Sequence, residues 1–127
     1  MIQKNSYLKV IDNSGVKTVC CISIGKGFNK KSAKLGDIIL VSVKSLRTKR
    51  KLYSKIKKGE ICKALIVRTK NKIVLSRWCE HFYFTENSVV LFTKQEKFLF
   101  TRVFGGISNF FRYSKYLRII SLSSGLL

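Results

Sequence analysis

Short apolar segments separated by turn residues run through most of the chain, and they constrain its fold more than any other feature. Leu8 and Val10 alternate with polar neighbours, which places them on one face of a strand. The same period of two predicts that Cys20, Ile22 and Ile24 share a face. These segments therefore indicate β-structure, because an amphipathic helix needs a longer apolar period.

Other segments are almost continuously apolar, which is typical of strands that are buried on both faces. Residues 38–43 and 64–67 are of this kind, and residues 82–84 and 89–92 predict two further short strands. Several short strands at this spacing indicate a small barrel or a sandwich. Beyond Thr101 the apolar spacing becomes loosely helical, which predicts one or two short helices.

Glycine-containing turns separate the predicted strands. Residues 12–15, Asp-Asn-Ser-Gly, are typical of a β-turn, because Asp can hydrogen-bond the backbone and Gly can adopt a positive φ. Residues 34–38 and 57–61 share a second pattern, in which a glycine turn follows a lysine and an acid opens the next apolar run. The two patterns predict the same turn at the start of two different strands.

The length and the hydrophobic content predict one folded domain. A chain of 127 residues is the size of a single domain, and a hydrophobic fraction of 46% excludes a disordered basic tail. We expect this domain to cover residues 1–127, with a barrel over about 1–100 and a helical part over about 101–127.

The balance of charges predicts a polyanionic partner. The chain has 26 Lys and Arg against 6 Asp and Glu, a net charge of +20. A free protein with this charge repels itself, so nucleic acid, an anionic membrane surface or an acidic protein is the expected partner. A membrane span is not expected, because the longest uncharged stretches, 103–111 and 119–127, are far shorter than the roughly 18 residues that a spanning helix needs.

Two segments concentrate the positive charge and contain no acid. Residues 25–34 form a basic loop, and residues 44–58 lie between two buried strands, as expected for a long hairpin arm that projects from the barrel. Contact with RNA phosphates explains such clusters, and a solvated surface is the alternative. Phe28 and Tyr53 could stack on unpaired bases or pack at the base of their loops. The predicted RNA-binding residues are Lys26, Lys30, Lys31, Lys34, Lys44, Arg47, Lys49, Arg50, Lys51, Lys55, Lys57 and Lys58.

The sequence does not favour catalysis, and we predict neither an enzyme nor a metal or other cofactor. The six acids form no close pair along the chain. Cys79 and His81 could begin a metal site, but no second pair completes four ligands. The four cysteines, two of them adjacent, favour a reduced compartment over a disulfide framework.

Several motifs, in order along the chain, resemble those of the universal large-subunit ribosomal protein fourteen family. The most distinctive is KKGEICKALIVRTK at residues 57–70. The starting segment MIQKNSYLKVIDNSG, the segment KLGDIILVSVK at residues 34–44, and TRVFGGI and YLRIISL near the end match as well. Because several independent motifs agree, the resemblance is specific.

The family signature combines an alanine and three aliphatic residues with a later Phe, Asn and Val. Residues 64–67 supply its first part, and Phe84, Asn87 and Val90 supply the rest. The chain departs from the family pattern chiefly over residues 73–84, where IVLSRWCEHFYF replaces a polar glycine turn.

The resemblance implies an all-β fold, a small five-stranded barrel with a protruding basic hairpin arm and one or two short C-terminal helices. It also implies a structural role in the large ribosomal subunit, with binding to large-subunit rRNA through basic loops. Contact with small-subunit rRNA at an intersubunit bridge, and packing beside ribosomal proteins three and nineteen, are implied as well. The alternative is a free-standing single-strand nucleic-acid-binding barrel that acts as an RNA chaperone.

The resemblance further implies a site for a protein partner. In bacteria and mitochondria, the family is the docking site for the ribosome silencing factor, which blocks subunit joining. The corresponding residues here are Thr101, Arg102 and Arg118, a hydroxyl group and two cations. The alternative is that both arginines contact RNA phosphates. The aromatic residues near the C-terminus would suit a protein neighbour or complete the core.

Composition also bears on the compartment. The chain has no proline and only two alanines, which is typical of an A+T-rich genetic code. Together with the departures from the bacterial pattern, this predicts the matrix of a mitochondrion, on the mitochondrial ribosome. A plastid and the cytoplasm of an A+T-rich bacterium are the alternatives.

Overall fold

A computed structural model of the chain describes residues 1–25, 30–48, 56–74, 81–93, 95 and 97–127. These residues form the strands β1 (Tyr7–Val10), β2 (Val16–Ser23), β3 (Ile38–Leu46), β4 (Ile61–Arg68), β5 (Ile73–Val74), β6 (His81–Phe82), β7 (Ser88–Phe92), β8 (Val103–Ile107) and β9 (Ser123–Leu126). They also form a 3-10 helix (Asn109–Tyr113) and the α-helix α1 (Arg118–Leu122).

Five strands close into a barrel in the order β1-β2-β3-β4-β7. Strands β1 to β4 pair antiparallel with their neighbours in the chain, and β7 pairs antiparallel with β4. A parallel pairing of β7 with β1, in which Lys9 lies opposite Ser88, completes the ring. The predicted five-stranded barrel is confirmed, and the closed ring decides against a sandwich.

The barrel interior is filled by aliphatic side chains and two thiols, those of Cys21 and Cys62. Leu8 and Val10 both point inward, as predicted. The predicted face of β2 is wrong, because Ile22 is 38% exposed and Cys21 is fully buried inside the barrel instead. The pairing of β2 with β3 shifts register between Cys21 and Ser23, and this irregularity interrupts the simple alternation that the prediction assumed.

A second apolar cluster covers the outer faces of β4 and β7. In β4, Ala64 and Ile66 point into the barrel, and Leu65 and Val67 belong to the second cluster. β7 divides its side chains between the two clusters in the same way. The prediction that residues 64–67 form a strand buried on both faces is confirmed.

The C-terminal segment supplies the other side of the second cluster. Ile107, Phe111 and Ile119 are fully buried there. The short predicted helices are confirmed, but the sequence did not indicate β8 and β9, which pair with each other in parallel. Glycines and serines fill much of these two strands, and such residues weaken a strand pattern. Among the described residues, none of the helices is long and apolar enough to cross a membrane.

The two predicted lysine-glycine-acid turns have the same geometry. In the first, the backbone N–H of Lys34 donates to the Asp37 carboxylate at 2.9 Å. In the second, the N–H of Lys57 donates to the Glu60 carboxylate at 3.0 Å. The glycine of each turn has a positive φ, +81° and +86° respectively, which other residues rarely adopt. Each acid therefore fixes the turn that begins its strand.

The carboxylate of Asp12 links the β1–β2 turn to β7, the strand that closes the barrel beside β1. The side chain is fully buried. One oxygen accepts a hydrogen bond from the backbone N–H of Ser14 at 2.9 Å, and the other accepts one from the N–H of Leu91, also at 2.9 Å. Burial raises the pKa of Asp12, an effect that these hydrogen bonds oppose. This acid was predicted only as a turn residue, but it also joins the turn to β7.

We expect Asp12→Asn to lower the free energy of unfolding by about 1–3 kcal/mol. The amide nitrogen would face the N–H of either Ser14 or Leu91, so one buried donor would lose its acceptor. Urea denaturation measures the change. Glu86→Gln is the matched control, because this carboxylate is part of an exposed ion pair with Lys9 and its loss should cost less than about 1 kcal/mol. Equal effects of the two substitutions would contradict the assigned role of Asp12.

Candidate nucleic-acid interface

The described part of the first basic cluster, residues 30–34, presents two of its lysines freely to solvent. Lys31 and Lys34 are exposed. Lys30 is different, because its ammonium group lies 2.6 Å from the Asp37 carboxylate. Lys26 falls outside the described residues, and so does Phe28.

The second basic cluster begins and ends at adjacent points of the barrel. Val43 exchanges backbone hydrogen bonds with Gly59 and Glu60, at 2.9 and 3.0 Å. These bonds hold β3 beside the turn that precedes β4, and the two ends of the predicted arm therefore lie together. The exposed lysines at this base are Lys44, Lys57 and Lys58. The predicted residues Lys49, Arg50, Lys51 and Lys55, together with Tyr53, lie outside the described part of the chain.

Arg47 is anchored to the barrel. Its guanidinium donates a hydrogen bond to the backbone carbonyl of Val10 at 3.0 Å. The same group lies 5.6 Å from the centre of the Phe104 ring. The sequence predicted only that Arg47 contacts RNA, whereas the structure adds a link between the end of β3, β1 and β8.

Arg68 is a second anchored arginine, and its role was not predicted from the sequence. Its Nε and Nη2 donate to the carbonyls of Gly106 and Phe104, at 2.9 and 2.6 Å. Its guanidinium lies 5.7 Å from the centre of the Phe84 ring. Burial lowers the pKa of Arg68. The adjacent glycines 105 and 106 were the sequence signal for this contact, because two glycines in a row can indicate a close approach of another group to the backbone. A Cβ at Gly105 would lie only 2.3 Å from Nη2 of Arg68.

The three residues predicted to bind a protein partner lie at the surface. Asn13 fixes the first two, because its side chain donates to the Thr101 hydroxyl at 2.7 Å and accepts from the N–H groups of Thr101 and Arg102. The Arg102 side chain is exposed. Arg118 is exposed as well and lies 5.8 Å from the centre of the Phe98 ring.

The aromatic residues near the C-terminus divide into separate groups. Phe111 is fully buried, as part of the second apolar cluster. Phe110 is 47% exposed and Tyr113 is 90% exposed, and neither belongs to that cluster, although the Phe110 ring lies edge-on against Phe111. Phe104 lies elsewhere, against Arg47 and Arg68 of the barrel.

The cysteines of the described residues occupy structural positions. Cys20, Cys21 and Cys62 are buried free thiols, and burial raises the pKa of Cys62 to about 11. A thiol with this pKa stays protonated and behaves as a small apolar side chain. His81 is exposed, and its predicted neighbour Cys79 lies outside the described residues. Within the described ranges, no group of three or more His, Cys, Asp and Glu side chains could hold a metal ion.

Comparison with known proteins gives matches that extend over the whole chain. The model of the family described as ribosomal protein L14p/L23e matches residues 1–127. The chain is also similar to the large ribosomal subunit protein uL14 of Carsonella ruddii (strain PV). The two sequences are 43% identical over 127 residues, which cover 100% of each chain.

Proposed function

The chain belongs to the ribosomal protein L14p/L23e family, and on that premise we propose that it is a structural constituent of the large ribosomal subunit. Membership makes it a structural ribosomal protein and not an enzyme. In the proposed role, the barrel is a rigid support that presents cations to large-subunit rRNA. The full-length match to a large-subunit protein is the observation that carries this proposal.

The distribution of charge supports binding to RNA backbone. The acids of the described residues are engaged within the protein: Asp12 is buried, Asp37 and Glu60 fix turns, and Glu86 pairs with Lys9. Few acids therefore remain to neutralise the exposed lysines of the two basic clusters. Contacts of this kind position a protein on RNA without reading its base sequence.

The resemblance to the family supports a position at the interface between the ribosomal subunits. In this position, the chain contacts small-subunit rRNA at a bridge and packs beside ribosomal proteins three and nineteen. The exposed Phe110 and Tyr113 suit a protein neighbour, because each offers a large apolar surface outside the core.

A mitochondrial matrix location rests on composition, and the 43% identity with a bacterial protein supports the bacterial cytoplasm as the alternative. The genome that encodes the chain decides between them.

Washing in high salt tests the ribosomal role against the RNA chaperone alternative. We expect the protein to stay with large subunits that are sedimented through a high-salt cushion, because a structural constituent is held by many contacts at once. Quantitative immunodetection in the pellet and the supernatant measures its retention. A chaperone bound mainly through phosphate contacts would be released, and release of the protein would contradict the structural role.

The basic clusters predict a steep dependence of RNA affinity on salt. Replacing Lys44, Lys57 and Lys58 with Ala should lower the slope of log K against log salt by about 2–3, because each phosphate contact contributes about 0.7–0.9. Titrations of large-subunit rRNA fragments at several salt concentrations give the slope. The control replaces the exposed residues Lys4, Lys72 and Lys97 with Ala, which removes the same charge outside the two clusters. Equal slopes for the two triple variants would show that the arm base is not an RNA contact.

Thr101, Arg102 and Arg118 form the proposed binding site for a silencing factor. An acidic partner can pair with two exposed cations at the rim of an interface, which favours rapid and correctly oriented binding. Asn13 supports this site, because it fixes the backbone on which the first two residues lie.

Reversing both charges, Arg102→Glu with Arg118→Glu, should abolish binding of the silencing factor to isolated large subunits. The chain should still assemble into those subunits, because the apolar clusters are unchanged. Arg102→Lys with Arg118→Lys is the control, which keeps both charges and should retain binding. Co-sedimentation of the purified factor measures the effect. Normal factor binding by subunits that contain the charge-reversed chain would rule out this site.

A further inference from the structure

We propose that an unpaired segment of RNA binds along the outer face of β1 and β2, between the exposed rings of Tyr7 and Phe104. This inference rests on the proposed RNA-binding function and adds a site outside the two basic clusters. We call this region the β1–β2 surface. It consists of Tyr7, Lys9, Lys17, Thr18, Arg47 and Phe104.

Two shallow grooves meet on the β1–β2 surface. The first, of about 400 Å³, runs from Tyr7 past Lys9 and Thr18. The second, of about 430 Å³, continues from Lys9 and Thr18 to Arg47 and Phe104. Lys9 and Thr18 lie opposite each other in the β1–β2 pairing and line both grooves. The two grooves therefore form one continuous path across the strands.

Each end of this path carries an exposed aromatic ring. Tyr7 is 68% exposed and Phe104 is 45% exposed, and neither belongs to an apolar cluster. Arg47 lies over the Phe104 ring, and Arg68 bonds to the Phe104 backbone, so this ring is held in place. Exposed aromatic rings at a surface are stacking sites for unpaired bases, because every base has a face that can stack on a ring.

Positive charge lies between the two rings. Lys17 is exposed and pairs with no acid among the described residues, and Arg47 adds a second cation. Glu86, which lines the first groove, is paired with Lys9. Cations between aromatic rings match the alternation of phosphates and bases along a single strand. A duplex fits less well, because its base faces are covered by stacking.

A pair of short RNAs tests the inference with the full-length chain. The probes are a twelve-residue oligouridine and a twelve-base-pair RNA duplex, and fluorescence anisotropy measures their affinities. Tyr7→Ser with Phe104→Leu should weaken oligouridine binding at least about fivefold, the loss expected for one stacked base. The duplex should bind within about twofold of the unchanged chain, because no phosphate contact is removed.

The matched control is Tyr113→Ser with Phe110→Leu, which removes one exposed tyrosine and one exposed phenylalanine elsewhere. It should leave oligouridine binding unchanged. Lys17→Gln provides an independent variant that disturbs no described contact, and it should lower the salt slope for oligouridine by about 0.7. Equal losses in the two aromatic double variants, or no loss in the first, would overturn the inference. So would an unchanged salt slope for Lys17→Gln.

A photo-crosslinker distinguishes RNA from a protein neighbour. Tyr7→p-benzoylphenylalanine in assembled large subunits should cross-link to rRNA, whereas a cross-link to a protein would overturn the inference. Retention of the unchanged chain in salt-washed subunits is measured separately. If that chain is retained and the aromatic variants bind oligouridine normally, this site fails while the ribosomal role stands.

Discussion

The rest of the structure depends on the burial of β4 and β7 on both faces. One face of each strand lines the barrel, and the other lies under the second apolar cluster. Without a cover, Leu65, Val67, Val90 and Phe92 would leave a large apolar patch in water. The C-terminal segment covers this patch. Arg68 of β4 holds the segment against the barrel by donating hydrogen bonds to two carbonyls of β8. The barrel and the C-terminal segment therefore share one apolar cluster, although their local structures differ.

Features set by neighbouring residues could be predicted from the sequence. Continuously apolar runs identified strands buried on both faces, and glycine with an adjacent acid identified two matching turns. Predictions failed where the fold overrides local pattern. The irregular pairing beside Cys21 turns Ile22 toward solvent, and no residue pattern in the sequence predicts that register shift. Strands β8 and β9 were missed because their glycine-rich and serine-rich segments become strands only by pairing with each other.

In the candidate site, too, the features set by neighbouring residues were predicted and those set by distant contacts were not. Runs of lysine without acids identified the basic clusters, since composition alone distinguishes them. The sequence did not reveal that Arg47 and Arg68 bond to backbone carbonyls of other strands, because those carbonyls are far away along the chain. The β1–β2 surface was missed for the same reason, because the Tyr7 and Phe104 rings lie at opposite ends of the sequence. Long-range contacts decide which cations support the fold and which remain free for a partner.

The position of β7 in the barrel has a consequence for folding kinetics. Strands β1 to β4 can form a meander, because each pairs with the next strand along the chain. Such a sheet has two unpaired edges, β1 and β4. β7 pairs with both edges, so its addition closes the ring in a single step. Closure joins segments that are distant along the chain, and such steps are slow. Until closure, the open edges can pair with other chains, so the interval before β7 docks is the period in which aggregation competes with folding.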